Sequence, residues 1–129
     1  MVCALGVAPD YMVRLEVVGR RTGRMVHLPL VMVVVDGERY LVSMLGEDVN
    51  WVRNVKAAGG RVTLRHGRSE DVRLEEVAPA HRAPVLKDYL RRAPRAGVHM
   101  PVEKDAPLAE FERVSPRFPV FRVVSGQAA

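Results

Sequence analysis

The 129-residue chain has a single cysteine, Cys3, and only 5% aromatic residues. One cysteine excludes an intrachain disulfide and a cysteine zinc site, and suits a reducing, cytoplasmic setting. No apolar run reaches the roughly 20 residues of a membrane-spanning helix. The opening MVCALGVA lacks the basic start and the longer apolar core of a signal peptide, so none is expected. No segment repeats at a fixed period. The histidines, His27, His66, His81 and His99, are scattered without metal-ligand spacing, so no metal site is expected. Ser43, Ser69, Ser115 and Ser125 lack the Gly-x-Ser-x-Gly elbow of a nucleophile. Few aromatics also leave few platforms for stacking bases, which speaks against a nucleic-acid-binding module despite the basic stretches VGRRTGR and RVTLRHGR.

What is present is enough apolar sequence, 48%, to fill the core of one domain spanning 1–129. The net charge of +5 asks either for an anionic partner or for no more than a soluble basic surface. Residues 12–18, MVRLEVV, alternate apolar and charged, as a half-buried strand does. Residues 28–35 are apolar at almost every position and predict a strand covered on both faces, by a barrel interior and by a helix or a second subunit. Asp36-Gly37 predicts a hairpin turn into a strand over 39–45. A helix is expected over 46–59, capped by Asp48 and ended by Gly59-Gly60. Strands over 61–66 and 69–77 follow, then a helix over 79–92 with Pro84 in its first turn. A proline-rich loop over 93–107, a short helix over 108–114 and a closing strand over 118–124 complete the chain, with 1–11 as a poorly ordered lead-in. The fold class is therefore mostly β with α: a six-stranded antiparallel barrel flanked by two or three helices, closure removing the exposed edges.

The stretch Val18-Gly-Arg-Arg-Thr-Gly-Arg24 links the first two strands. Gly19 and Gly23 free the backbone to turn N–H groups toward an anion, and Arg20, Arg21 and Arg24 add guanidinium groups suited to phosphate or carboxylate. A solvated hairpin tip would carry the same composition. It is not a Walker loop, because no Gly-Lys-Ser/Thr opens a helix.

The ordered set formed by Gly19–Gly23, Pro29-Leu30, Asp36-Gly37, Val42–Gly46, Trp51 and Asn54-Val55 resembles the deazaflavin-dependent nitroreductase and quinone reductase family of actinobacteria. The match covers about residues 12 to 77. The resemblance implies a split β-barrel that binds reduced coenzyme F-420, an 8-hydroxy-5-deazaflavin with a phosphodiester and a glutamate tail, and passes hydride to a small organic acceptor such as a quinone, nitro or unsaturated compound. It implies that Arg20, Arg21, Thr22 and Gly23, with Arg24, hold the phosphate and tail. Leu28, Pro29 and Leu30, and Val42, Ser43, Met44, Leu45 and Gly46, would flank the ring, with Trp51 and Asn54 shaping the site from beneath. Read without the resemblance, Trp51 is a core residue. Ser43 is the candidate for stabilising charge on the reduced acceptor. The chain departs from the pattern at Val26, where many relatives carry arginine, at Glu47-Asp48, and in having no tyrosine after Tyr89. Related split barrels hold flavin mononucleotide (FMN) or haem, so FMN is the alternative cofactor; Arg53, Lys56, Arg65 and Arg68 favour the longer polyanionic tail. The apolar strand and small size also raise the expectation of a homodimer.

Overall fold

A computed structural model of the chain describes residues 12–93 and 100–125. The lead-in 1–11 and the centre of the proline-rich loop, with Cys3 and His99, lie outside these residues. Six strands, β1 (Met12–Val18), β2 (Met25–Val35), β3 (Glu38–Val42), β4 (Arg61–Arg65), β5 (Ser69–Glu76) and β6 (Val120–Ser125), close into an antiparallel barrel in the order β1-β2-β3-β6-β5-β4. Helix α1 (Asn50–Ala57) follows β3, α2 (Ala83–Arg92) follows β5, and α3 (Leu108–Val114) precedes β6.

Alternation along the strands sorts side chains into two cores. Val13, Leu15 and Val17 of β1, Met32, Leu41, Val62, Leu64, Val72, Leu74, Phe121 and Val123 point into the barrel. One end of that interior is plugged by Trp51, Val52 and Val55 of α1, with the Trp51 and Phe121 rings 5.7 Å apart and tilted by 58°. Outside the barrel, Val33, Val42 and Val120 meet Val85, Leu86, Tyr89, Phe111 and Phe118 beneath α2 and α3. The apolar strand is thus covered on both faces, but only over its second half. Met32 and Val33 are buried, one on each side, whereas Met25, Val26 and Pro29 are exposed.

Pairing explains that division. Residues 25–31 of β2 pair with β1, from Val18↔Met25 to Met12↔Val31. Residues 32–35 pair with β3, from Met32↔Leu41 to Val35↔Glu38. The strand changes partner between Val31 and Met32, so each half has a sheet neighbour on one side only. Pro29, with no amide proton to offer a ladder, falls in the half facing away from β3.

Element ends differ from the sequence expectation in two instructive places. Helix α1 starts at Asn50 after an extended Val49 (ψ 154°), with no side-chain cap. Asp48 lies one residue too early to reach the first helical amides and instead pairs with Arg53 at 3.1 Å. The expected helix over 79–92 is a 3-10 turn, Pro79–His81, followed by α2, with Pro84 in the first turn as predicted.

The seam between barrel and helices centres on Arg82, only 4% exposed. Its Nε donates to the Val77 carbonyl at 2.7 Å and one terminal nitrogen to the Ser115 and Phe118 carbonyls at 2.9 and 3.3 Å; the other reaches the Glu76 carboxylate at 3.1 Å. Burial pulls its pKa down from the usual arginine value, and Glu76 and Glu47 oppose that pull. Removing a cation that satisfies several buried carbonyls leaves acceptors without donors. Arg82→Met is expected to lower the unfolding free energy by about 2–4 kcal/mol in urea denaturation. A loss below about 0.5 kcal/mol, typical of a surface change, would show that the seam does not depend on this side chain.

Candidate functional site

The partner switch leaves an opening in the barrel wall. Beyond Met32↔Leu41, β2 continues along β1 toward the basic turn, while β3 ends at Val42 and the chain swings away through residues 43–49 into α1. The opening is therefore bordered by the outer edge of 25–31, the 43–46 turn, the start of α1 and the 19–24 turn. This is where strand register places most of the residues singled out in the sequence.

The basic turn is built tightly. The Gly19 N–H donates to the Arg24 carbonyl at 2.7 Å and the Gly23 N–H to the Gly19 carbonyl at 2.9 Å. The Arg24 N–H donates to Thr22 Oγ1 at 3.2 Å. Gly23 has φ +73°, a left-handed conformation that strains any residue with a Cβ. The three arginines then part company. Arg20 is tied to α1: its backbone N–H and one guanidinium nitrogen donate to Asn54 Oδ1 at 3.1 and 2.8 Å, and the other terminal nitrogen reaches Asn50 Oδ1 at 3.4 Å. Asn54 is buried, and its amide oxygen takes the two shorter of the three bonds that hold the turn to the helix. Arg21 and Arg24 are exposed, and no carboxylate among the described residues pairs with either.

Of the two acids that would repel an anion beside this turn, Asp48 is directed toward Arg53. That exposed pair is 3.1 Å long, while Glu47 is exposed with no ion pair among the described residues.

At the other side of the opening, Ser43 is 1% exposed. Its N–H donates to the Pro119 carbonyl at 2.9 Å, and its hydroxyl donates to the Gly46 carbonyl in a short contact. The hydroxyl proton thus closes the 43–46 turn rather than facing outward. Gly46 takes φ +95° to complete it. Leu45 projects into solvent, 64% exposed, with Met44 half-buried behind it. Leu28 and Leu30 are half-buried against the barrel core, and Pro29 is exposed between them. Val42 is buried under the helices and Trp51 within the barrel, so both support the opening from behind. A hollow of about 270 Å³ adjoins the turn, lined by Met44, Leu45, Gly46, Arg117 and Phe118.

Three residues of this arrangement carry no sequence signal. Asn50 and Arg82 act through hydrogen bonds made across long sequence separations, and Arg117 reaches the 43–46 turn only because β6 pairs with β3. Among the described residues no cluster of His, Cys, Asp or Glu is suited to a metal, and no helix is long and apolar enough to cross a membrane.

The family model for F420H(2)-dependent quinone reductase matches residues 4–108. Among solved structures, an F420-H2 dependent reductase is 24% identical over 87% of this chain and 92% of its own, with TM-score 0.58. A chain solved as a domain-swapped dimer is 23% identical over 92% of this chain and 84% of its own, with TM-score 0.53. A protein of unknown function from Agrobacterium tumefaciens is 13% identical over 91% of this chain with TM-score 0.66, and this chain spans about half of it, 49%. At these identities the structures establish the shared barrel fold. No curated protein matches the sequence significantly.

Because Asn54 is the sole tether seen between α1 and the Arg20 amide, Asn54→Ala is expected to release the turn. Stability should fall by about 1–2 kcal/mol. Amide exchange over 19–24 should accelerate well beyond that in β4. Unchanged exchange in the turn would show that its own hydrogen bonds suffice.

Proposed function

The chain belongs to the F420H(2)-dependent quinone reductase family, and from that membership we propose that the opening beside β2 seats reduced coenzyme F-420 for hydride transfer to a small organic acceptor. The observation that carries this reading is the composition of the border. Arg21 and Arg24, which have no carboxylate partner among the described residues, stand at the end of a free β2 edge that runs on to an apolar stretch at Leu28–Leu30. A coenzyme that is polyanionic at one end and a flat ring at the other fits that gradient. The exposed Thr22 adds a hydroxyl beside the cations, whereas the Gly19, Arg20, Gly23 and Arg24 N–H groups already donate within the protein.

The bound coenzyme supplies the hydride, so the chain needs no nucleophile and no paired acid and base. Its own residues bind, orient and exclude water. Arg21 and Arg24 hold negative charge, while Arg20 fixes the turn to α1 through Asn54 and is a positioning residue. Leu28 and Leu30 beside the barrel core, and Met44 and Leu45 in the 43–46 turn, are the apolar side chains available to desolvate a ring. Ser43, with its proton given to Gly46, sets the shape of the 43–46 turn, and its oxygen retains a free lone pair.

The test is fluorescence titration of the purified protein with reduced coenzyme F-420, with FMN in parallel. Arg21→Ala is expected to weaken coenzyme binding roughly tenfold, about 1.4 kcal/mol, with the loss shrinking as salt screens the pair. Tight FMN binding with no response to the deazaflavin would overturn the reading.

A separate observation favours self-association. Val18 and Met25, paired across β1 and β2, are 46% and 55% exposed, and Met12 at the far end of the same face is 53% exposed. A second copy covering these apolar side chains, which flank Arg14 and Glu16 on the same face, gives a homodimer. Light scattering after size exclusion should report twice the 14.4 kDa chain mass, and Met25→Glu should shift it to the monomer. A monomer before substitution would refute the dimer.

A further inference from the structure

The hollow beside the 43–46 turn holds a cation that neither the barrel nor the basic turn uses. Arg117 is exposed, and no carboxylate among the described residues pairs with it. Its guanidinium carbon lies 5.5 Å from the centre of the Phe118 ring, which holds the group over an aromatic face. Phe118 itself is 3% exposed and packed beneath α2 and α3, so the platform is fixed. Behind the hollow the frame is hydrogen-bonded: the Phe118 carbonyl accepts from buried Arg82, and the Pro119 carbonyl accepts from the Ser43 N–H. A Cβ on Gly46 would stand 3.8 Å from the Arg117 carbonyl oxygen, so the two segments nearly touch.

Met44, Leu45 and Phe118 give the lining its apolar side chains, and Gly46 contributes backbone. Arg20 and Arg117 thus stand at opposite ends of the 43–50 segment, one bonded to Asn50 and Asn54, the other beside Gly46. The basic turn accounts for an anionic tail at one end. At the other end, a guanidinium with no carboxylate partner among the described residues, beside apolar side chains, answers to a second, smaller molecule.

We propose that Arg117 selects the hydride acceptor, fixing a flat apolar molecule that bears one anionic group, such as a carboxylate or sulfonate, in the hollow between the 43–46 turn and Phe118. The proposal rests on the coenzyme reading for the identity of that molecule as acceptor, but the binding it requires is a property of the protein without coenzyme. Guanidinium is suited to this role because it meets a planar oxyanion with two parallel N–H groups while its face stays on the aromatic ring.

The experiment compares 9,10-anthraquinone-2-sulfonate with the uncharged 2-(hydroxymethyl)anthraquinone on wild type, Arg117→Ala and Arg117→Lys. Binding to the protein without coenzyme is followed by calorimetry, and turnover with reduced coenzyme F-420 by KM and kcat. Arg117→Ala is expected to weaken sulfonate binding and raise its KM by roughly tenfold or more, with kcat and coenzyme affinity within about twofold of wild type. The uncharged quinone should be unaffected, and Arg117→Lys should restore part of the loss. Equal loss for both quinones, no loss for either, or weakened coenzyme binding in Arg117→Ala would overturn the assignment. If wild type binds the sulfonate through Arg117 but does not bind the coenzyme, the anion site stands and the coenzyme reading alone falls.

Discussion

The structure turns on the change of partner within β2. A barrel wall is continuous when each strand is paired along both edges, and here one eleven-residue strand gives its first half to β1 and its second to β3. The halves cannot both be paired on both sides, so a free edge is unavoidable, and it lies beside the turn that joins β1 to β2. Free edges are normally a liability, open to adventitious pairing. This one is guarded by Pro29, which removes a donor from it, and is flanked by the 43–49 segment and α1. The opening is a consequence of topology, and the side chains around it are placed by register rather than by loop conformation.

Rigidity around the opening comes from polar groups that have been taken out of solvent. Asn54 brings the basic turn onto α1, and α1 is itself fixed by Trp51, Val52 and Val55 in the barrel end. Across the gap, Ser43 ties its turn to Gly46 and to the strand approaching β6, while Arg82 gathers carbonyls from 77, 115 and 118. Each of these is a buried donor or acceptor whose partner lies on another element. Losing a partner therefore costs desolvation as well as a bond, which is why such links position a site more firmly than surface ion pairs do.

Periodicity made the six strands and the main helices legible in the sequence, because burial of alternate or every third to fourth residue leaves a direct trace in composition. The helix starts were less legible. The carboxylate of Asp48 resembled a cap, but capping depends on the φ, ψ of one residue, and it is Val49 that takes the extended conformation. The all-apolar run over 28–35 correctly announced cover on both faces, yet it could not show where that cover stops, since the partner switch is set by the lengths of β1 and β3 together. The roles of the three arginines in VGRRTGR could not be separated either. Composition treats Arg20, Arg21 and Arg24 alike, and only the fold brings Asn54 beneath the first of them. Arg82 and Arg117 carried no pattern at all, because the Ser115 and Phe118 carbonyls that Arg82 binds and the 43–46 turn beside Arg117 are distant in sequence.

Charge distribution then gives the surplus of cations its meaning. On the outer faces of the sheet the charges are largely matched: Arg65 and Arg14 share Glu16, Arg73 and Arg122 share Glu75, and Arg39 grips Glu70 with both terminal nitrogens. Those arginines hold Glu70 and Glu75 below the usual carboxylate range, so these acids are charged counterparts at neutral pH. Near the opening, Asp48 is likewise paired, with Arg53. A matched lattice contributes little field beyond about a Debye length, roughly 8–10 Å at physiological salt. Arg21, Arg24 and Arg117 are left to dominate the potential at the opening. Net charge alone cannot distinguish a basic surface from a binding site; what distinguishes them is which cations the fold has left without an acid.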